Sequence, residues 1–400
     1  MSENRPTPPS VPLLFAMVTA AQLALSIFLP AVPDIAVNLQ TSLTAAQSLV
    51  PIYFAAFSLA QLVIGPLSDK YGRRPVIICG MALFTLACIA CAVAPSIEVL
   101  LTARAVQAVG ACTTMVVCRA MIRDTCEGAA AIRVMSHFAL SLGLGVSIAP
   151  LCGGFLTTWF GWRATFFANG LASLIILAGV LIMLRETLPP DMRQPPRFRH
   201  LLLTYLRIAL NLRFTGYMLS ISFASGAVQT FMAAGPIVLI SNMGIRADRF
   251  GFFVMFLPMC YMVGTYAARR LAAFLSVDQV ILVGVAFSLT GGVLQFAFGL
   301  IAINAPIPVL AAVATSNFGT GFIIGNCYAQ ALATVPPSIA GSASALGGFM
   351  QWGWAFLVAL LVANLTHTSS LQMGSVHLAT TILAFCMALI LMLVIKRKAG

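Results

Sequence analysis

Residues 65–75 read Gly-Pro-Leu-Ser-Asp-Lys-Tyr-Gly-Arg-Arg-Pro, and this short polar stretch interrupts two long apolar runs. Gly65 and Gly72 permit a tight turn between two helices. Asp69, Arg73 and Arg74 form a charged cluster in this stretch. Charged side chains are costly in hydrocarbon, so this stretch marks a point where the chain leaves a membrane and turns back.

The composition supports a membrane protein throughout. Hydrophobic residues make up 60% of the chain, charged residues only 8%, and the mean hydropathy is +1.00, far above the values of soluble domains. Continuous apolar runs of about 20 residues predict helices and not barrel strands. The sequence therefore predicts an all-α membrane protein of twelve spans: 12–33, 46–66, 76–94, 98–121, 133–158, 164–184, 213–240, 249–268, 279–301, 307–334, 338–365 and 374–395.

The segment between spans 6 and 7 breaks the rhythm of the spans, because it is rich in Pro and Arg. It predicts a linker between two six-helix halves. The predicted divisions are a tail at 1–11, a first half at 12–184, a linker at 185–212, a second half at 213–395 and a tail at 396–400. The loops after spans 2 and 8 are both basic, which suggests a pseudo-symmetric repeat with a cavity between the halves.

Basic loop residues predict the orientation. With an even number of spans both termini lie on one side, and that side collects most of the Lys and Arg. The opposite side keeps only Arg163, Arg246 and Arg249. The net charge of +12 is thus explained by topology and contact with anionic headgroups, not by nucleic-acid binding. The start of the chain lacks a clear cleavage site, so we expect an uncleaved first span.

Cysteine, histidine and nucleotide motifs give little sign of chemistry. Nine of the ten cysteines fall within predicted spans, which predicts no disulfide framework. The histidines His137, His200, His367 and His377 are expected in loops or near helix ends without ligand spacing, so we expect no metal. No P-loop or G-x-S-x-G motif is present. We expect neither an enzyme nor a cofactor, with an ion gradient as the energy source.

Span 4 carries a charge in its apolar run. Arg104 and Gln107 are three residues apart and share one helix face, which we expect to point into the bundle. A competing interpretation is that Arg104 extends to a membrane surface. In span 5, small residues surround a proline at Gly145, Ala149, Pro150, Gly153 and Gly154. Their spacing permits close helix approach, and Pro150 removes one backbone hydrogen bond.

The stretch 65–75 resembles the loop motif of the major facilitator superfamily. That resemblance implies a gate at the cytoplasmic surface, in which Asp69 faces the start of span 11 and Arg73 pairs with Asp124. The implied gate and switch residues are Gly65, Asp69, Gly72, Arg73, Arg74 and Asp124. The alternative is that these residues only set topology and stabilise a loop, since exposed ion pairs contribute little.

The glycine and proline pattern of span 5 resembles that of drug/proton antiporters, and Ala149 in place of a glycine fits the Bcr/CflA multidrug efflux branch. The likeness extends along the chain through 29–33, 119–124, 161–163, 185–189, 235–236, 325–326 and 340–345. It implies export of small amphipathic compounds, of phenicol, bicyclomycin or siderophore-like type, across a bacterial inner membrane by proton antiport. Arg104 resembles the proton-transfer arginine of the family.

One departure concerns proton coupling, because Ser26 stands where the family commonly has an aspartate. No Asp or Glu then lies at mid-membrane depth, and the remaining coupling candidates are Arg104, Asp34 and Asp124. Without a buried carboxylate to attract cations, we expect neutral, zwitterionic or anionic substrates.

Candidate cavity residues are the polar groups of the spans, since buried polar groups need partners or a wet cavity. They are Ser26, Tyr53, Gln107, Arg119, Gln229, Asn326, Gln330 and Gln351. The expected partners are a small-molecule substrate, protons and the lipid bilayer, and we expect a monomer. A proton-coupled uptake symporter, or a receptor without transport, stays open.

Overall fold

The computed structural model describes residues 9–193, 198–303, 305–336, 339–365 and 369–396. In that part of the chain twelve helices are long and apolar enough to cross a membrane, which confirms the predicted number. Spans 1 to 12 are Val11–Asn38, Leu43–Tyr71, Arg73–Ala92, Ile97–Thr125, Arg133–Phe160, Trp162–Met183, Leu212–Asn242, Ala247–Leu271, Val277–Leu300, Pro306–Ala333, Ala340–Ala363 and Ser370–Leu393. Most of both predicted tails, at 1–8 and 397–400, lies outside the described residues.

Two of the turns depend on glycine. Gly72 between spans 2 and 3 has φ +99°, and Gly161 between spans 5 and 6 has φ +80°. Side chains with a Cβ rarely adopt this region, so each glycine allows one helix to end and the next to begin without a connecting loop. Most observed helices are a few residues longer than predicted, because helical backbone continues past the apolar core into polar residues.

The packing of the spans repeats with an offset of six. In the first half, span 1 packs on span 5, span 2 on span 4, and span 3 on spans 4 and 6. In the second half, span 7 packs on span 11, span 8 on span 10, and span 9 on spans 10 and 12. The halves meet through spans 2 and 11 and through spans 5 and 8, two pairs that exchange under the same offset. The observed fold therefore has the expected pseudo-symmetry.

We call the end of the bundle that carries residues 184–211 the linker face, and the opposite end the far face. The linker contains a helix that the sequence analysis did not predict, Phe198–Ala209. The Tyr205 hydroxyl of this helix donates a hydrogen bond of 3.1 Å to the Leu62 carbonyl of span 2. Burial, and secondly the charge of Asp69, raise the pKa of Tyr205. The linker thus touches the first half and also packs on span 11.

Candidate functional site

The charged cluster of the loop 65–75 converges on one guanidinium at the linker face. The Arg73 side chain is only 3% exposed, and its Nε donates to Asp124 Oδ2 at 2.8 Å. Its Nη1 donates to Asp69 Oδ1 and to Ser68 Oγ, both at 2.6 Å. Charge-assisted hydrogen bonds of this kind hold a planar guanidinium in one orientation. The expected pair of Arg73 and Asp124 is present, and it connects spans 2, 3 and 4.

Glu186 completes this cluster, although the sequence analysis gave it no role. Its Oε1 accepts a hydrogen bond of 2.9 Å from the backbone N–H of Arg73, and its Oε2 accepts one of 3.3 Å from that of Arg74. A carboxylate at a helix N-terminus satisfies free N–H groups and interacts favourably with the helix dipole. Glu186 therefore caps span 3 from the segment that follows span 6.

The other predicted gate residues take simpler positions. Asp69 is 49% exposed, and its ion pair is with Arg73 in its own half. Arg74 Nη2 donates to the Leu181 carbonyl at 3.1 Å, and a Cβ on Gly65 would meet no atom within 4 Å. Span 11 begins at Ala340. Residues 337–338, which the sequence analysis placed at its start, lie outside the described residues, so the contact of Asp69 with that start remains a prediction.

Arg104 lies inside the first half, with its side chain fully buried. Its Nη1 donates to the Ala24 carbonyl at 3.0 Å and to Gln107 Oε1 at 2.5 Å. The guanidinium carbon is 4.1 Å from the ring centroid of Phe28 and 4.4 Å from that of Tyr53. The expectation that Arg104 points into the bundle is therefore confirmed, and the interpretation as a residue extending to the membrane surface is wrong.

The Arg104 guanidinium contacts aromatic rings and a backbone carbonyl oxygen in place of a carboxylate. Among the described residues it forms no ion pair, and its Nε and Nη2 have no hydrogen-bond partner. Cation–π contacts in a desolvated site contribute about 2 kcal/mol each, less than a buried charge costs. The other coupling candidates lie elsewhere, because Asp34 is exposed and Asp124 pairs with Arg73. This guanidinium is thus a buried positive charge without an acidic partner among the described residues.

The small residues of span 5 lie in two helix contacts at once. A Cβ on Gly145 would lie 2.6 Å from Gln22 Cβ, and one on Gly153 would overlap the Ile27 carbonyl, both in span 1. A Cβ on Gly154 would overlap the Ala247 carbonyl at the start of span 8. The backbones thus touch where a side chain would separate them. Span 5 links its own half to the other half through these glycines.

The proline segment of span 5 belongs to the same contact. A Cβ on Gly251 in span 8 would overlap the Leu151 Cα and would lie 2.6 Å from the Pro150 carbonyl oxygen. Ala149 is fully buried. Since span 8 starts at the far face, the two halves are in backbone contact on that side of the molecule.

The candidate cavity residues divide by burial. Ser26, Tyr53, Gln107 and Gln229 are buried, and the Oγ of Ser26 and the Oε1 of Gln229 have no hydrogen-bond partner. The half-buried candidates are Arg119, Asn326, Gln330 and Gln351. Arg119 lies 5.6 Å from the Phe138 ring, and Asn326 donates to the Phe322 carbonyl in its own helix. The structure brings Tyr53 and Gln107 to Arg104, and the others are spread over both halves.

The expected positions of the histidines are wrong in two cases. His137 lies well within a continuous helix, Gly128–Phe160, at an exposed position. His377 lies seven residues beyond the start of the helix Ser370–Lys396 and is fully buried. His367 and the side chain of His200 are outside the described residues. Among the described residues no group of three potential ligands could hold a metal ion.

Comparison with known proteins gives a family match. The family model described as Major Facilitator Superfamily matches residues 14–360. Multidrug resistance protein D of Escherichia coli is 29% identical over 94% of this chain and 93% of its own length. A bicyclomycin resistance protein homolog of Haemophilus influenzae is 26% identical over 84% of both chains.

Solved structures give the same fold. A peptide transporter aligns with a TM-score of 0.79 at 13% identity, over 98% of this chain and 96% of its own. A D-xylose-proton symporter aligns with a TM-score of 0.74 at 16% identity, over 95% of this chain and 96% of its own. At this identity the likeness concerns the arrangement of the helices alone.

Proposed function

Since the chain belongs to the Major Facilitator Superfamily, of Bcr/CflA drug-efflux type, we propose that this multi-pass membrane transporter exports small amphipathic compounds in exchange for protons. It is a transporter and not an enzyme. The observation that carries the proposal is the likeness, over more than nine-tenths of the chain, to a relative named for multidrug resistance.

The contacts of span 5 support export by alternating access. Its glycines place backbone against backbone at the far face, in the contact between the two halves. A close-packed interface of this kind changes between discrete arrangements and does not deform continuously. This property suits a transporter that alternates between two conformations. The halves rock about the cavity, and substrate and proton favour opposite conformations.

The positive charge of Arg104 favours neutral and anionic substrates over cations. A guanidinium without an acidic partner repels lipophilic cations and attracts carbonyl, nitro or carboxylate groups. Neutral and anionic compounds, including phenicols and bicyclomycin, therefore fit this site better than quaternary cations do. Siderophore-like anions belong to the same class.

The linker face is proposed to lie in the cytoplasm of a bacterium, with both termini on that side and the bundle in the inner membrane. The basic residues of the cluster 65–75 and of the linker support this orientation, because cytoplasmic loops carry an excess of Lys and Arg.

Everted membrane vesicles test the proposal. Once respiration has established a pH gradient, chloramphenicol should dissipate it in vesicles that contain the protein and not in vesicles that lack it. The cation tetraphenylphosphonium should give a much weaker response. Energised uptake of chloramphenicol by intact cells would indicate symport instead. No response to chloramphenicol or bicyclomycin would contradict export of these compounds.

A further inference from the structure

A buried polar cluster lies inside the second half, away from Arg104. Its members are His377 of span 12, Ser316 of span 10, and Ser288 and Gln295 of span 9, and all four side chains are buried, with exposures of 0%. Interiors of this kind pair nearly all of their polar atoms. Here His377 Nδ1, Ser288 Oγ and both polar atoms of the Gln295 amide have no hydrogen-bond partner.

The hydrogen bonds of Ser316 fix the tautomer of His377. The Ser316 hydroxyl donates its one proton to the Ser288 carbonyl at 2.8 Å. Its oxygen lies 2.8 Å from His377 Nε2, so with the Ser316 proton on the Ser288 carbonyl the donor in that second bond is Nε2. A neutral imidazole carries one N–H, and Nδ1 is therefore left as a bare lone pair. This is an atom that can take up a proton.

Spans 9 and 12 pack closely around His377. The Thr380 hydroxyl donates to the His377 backbone carbonyl at 2.8 Å, and the Thr381 hydroxyl lies between the carbonyls of His377 and Leu378, at 3.1 and 3.0 Å. A Cβ on Gly292 of span 9 would overlap Thr381 Oγ1, and one on Gly374 would lie 2.8 Å from the Gln295 carbonyl. Spans 9 and 12 thus approach closely on both sides of the histidine.

No described charge opposes or assists a proton at this site. Spans 7, 9, 10 and 11 pack around span 12 or reach it through Ser316. The titratable or charged residues described on these spans and on span 12 are Arg213, Tyr217, Asp278, Cys327, Tyr328 and Cys386. All but Cys386 lie in the last few turns toward the linker face, and Cys386 is exposed. No charged group therefore acts on the imidazole.

We propose that His377 is the proton-binding site of the transporter, with Nδ1 as the atom that takes up and releases the proton. This inference rests on the proposed antiport and supplies a titratable group deeper in the bundle than the carboxylates, which all lie near the ends of their spans. Proton binding at Nδ1 gives an imidazolium whose Nε2 still donates to Ser316. Deprotonation restores the neutral ring, so no other co-reactant is needed.

The position of His377 gives the direction of coupling. Seven residues of helix separate it from the start of span 12 at the far face, a depth of about 10 Å. A proton from the far side therefore has a short path. Burying an imidazolium without a counter-charge costs free energy, so the protonated site favours a conformation in which spans 9 and 12 admit water. The neutral site favours the buried arrangement seen here. Such a difference in proton affinity couples proton binding to the change of conformation, and the proton gradient supplies the energy.

The cluster also lies next to span 7. The hydroxyl of Thr320, one turn after Ser316 on span 10, lies 2.9 Å from the Ser316 carbonyl and 3.3 Å from the Ala224 carbonyl of span 7. Span 7 carries Gln229, whose Oε1 is buried without a partner. The cluster around His377 is therefore continuous with the contact of spans 7 and 10.

Histidine NMR tests the inference directly, without any substrate. The full-length triple variant His137→Gln, His200→Gln, His367→Gln leaves His377 as the single histidine, and it is labelled with ring ¹⁵N and reconstituted into liposomes. At alkaline pH we expect a neutral ring with the proton on Nε2, and a reversible change to imidazolium as the pH is lowered through the range in which histidines titrate. A ring that stays neutral down to mildly acidic pH in folded protein would overturn the proposal, as would a proton on Nδ1 at alkaline pH.

A transport measurement forms the second arm. His377→Gln retains a hydrogen bond to Ser316 but cannot titrate. In everted vesicles it should lose the chloramphenicol response of the pH gradient at least tenfold, while exchange of labelled chloramphenicol without a gradient continues. The control His137→Gln changes an exposed histidine and should behave as wild type. Full coupling in His377→Gln would refute the role. If wild type itself ignores chloramphenicol, export of that compound fails, and the NMR result still decides whether His377 binds the proton.

Discussion

Arg104 is held by shape as much as by charge. Its planar group stacks near the rings of Phe28 and Tyr53 and donates to two oxygens from one nitrogen. Lys has the same charge but a compact ammonium that cannot form this arrangement. The two common replacements, Lys and Gln, therefore separate the effect of the charge from the effect of the geometry.

We expect Arg104→Lys to be less stable than Arg104→Gln, although Lys is the conservative change. The lysine leaves a buried charge with fewer contacts, at a cost of about 2 to 4 kcal/mol, whereas glutamine removes the charge. Both should lower chloramphenicol transport at least tenfold. Thermal unfolding of the purified variants measures the order. The matched pair Arg249→Lys and Arg249→Gln, at an exposed position, should leave stability and transport near wild type. The opposite order of the two Arg104 variants would contradict the account.

At the scale of the element, span 3 depends on a residue that follows span 6. The helix starts immediately after Gly72, whose positive φ leaves the first N–H groups directed at Glu186. A Cβ on Gly72 would overlap Glu186 Oε2. The turn and the cap therefore require each other, which accounts for the glycine at position 72.

Glu186→Gln should lower the unfolding free energy by about 1 to 2 kcal/mol. The amide has one oxygen where the carboxylate has two, so one of the N–H groups loses its acceptor, and the ion pair with Arg193 at 3.6 Å is lost as well. Thermal unfolding is again the measurement. Asp191→Asn removes an exposed carboxylate of the same segment and should have little effect. Equal effects of the two variants would argue against the capping role.

Span 5 offers a second matched pair. Gly154→Ala places a methyl group against the Ala247 carbonyl, whereas at Gly143 the nearest atom to a Cβ is Met262 Sδ at 3.9 Å. We expect Gly154→Ala to reduce transport at least tenfold because the halves no longer close at the far face, and Gly143→Ala to transport normally. Spin labels at the far-face ends of spans 5 and 8 should report a longer distance in Gly154→Ala alone. An unchanged distance would mean that this contact does not limit closure.

At the scale of the whole molecule, the offset of six in the packing identifies the span pairs that are equivalent in the two halves. Spans 2 and 11 and spans 5 and 8 are equivalent pairs, and they form the contact between the halves. The first pair includes aromatic contacts, with Trp352 at 4.8 Å from Phe57 and 5.3 Å from Phe54. The second pair is formed by glycine backbone. The two equivalent contacts therefore differ in chemistry.

Topology is the prediction at this scale. A fluorescent protein inserted after residue 193 should fold and fluoresce, and alkaline phosphatase fused after residue 245 should be active, because the linker face is proposed to be cytoplasmic. The reverse pattern would invert the orientation. The pair of fusions tests the basic residues of the linker and of the loop 65–75 as orienting signals.

The sequence alone determined the number of spans, because hydrocarbon forces each span to be a continuous apolar helix and the loops keep their charge. The family was suggested by the resemblance of the stretch 65–75 to a known loop motif, and the comparison showed it. The sequence also predicted the pair of Arg73 and Asp124 and the inward direction of Arg104. Only the tertiary structure decided which polar groups lack partners and which glycines touch another helix. Glu186 and His377 act on residues more than 60 positions away, and such contacts leave no local pattern. The loop 65–75 determines where the chain turns. The packing of the spans determines that Glu186 meets the start of span 3 and that His377 of span 12 meets Ser316 of span 10.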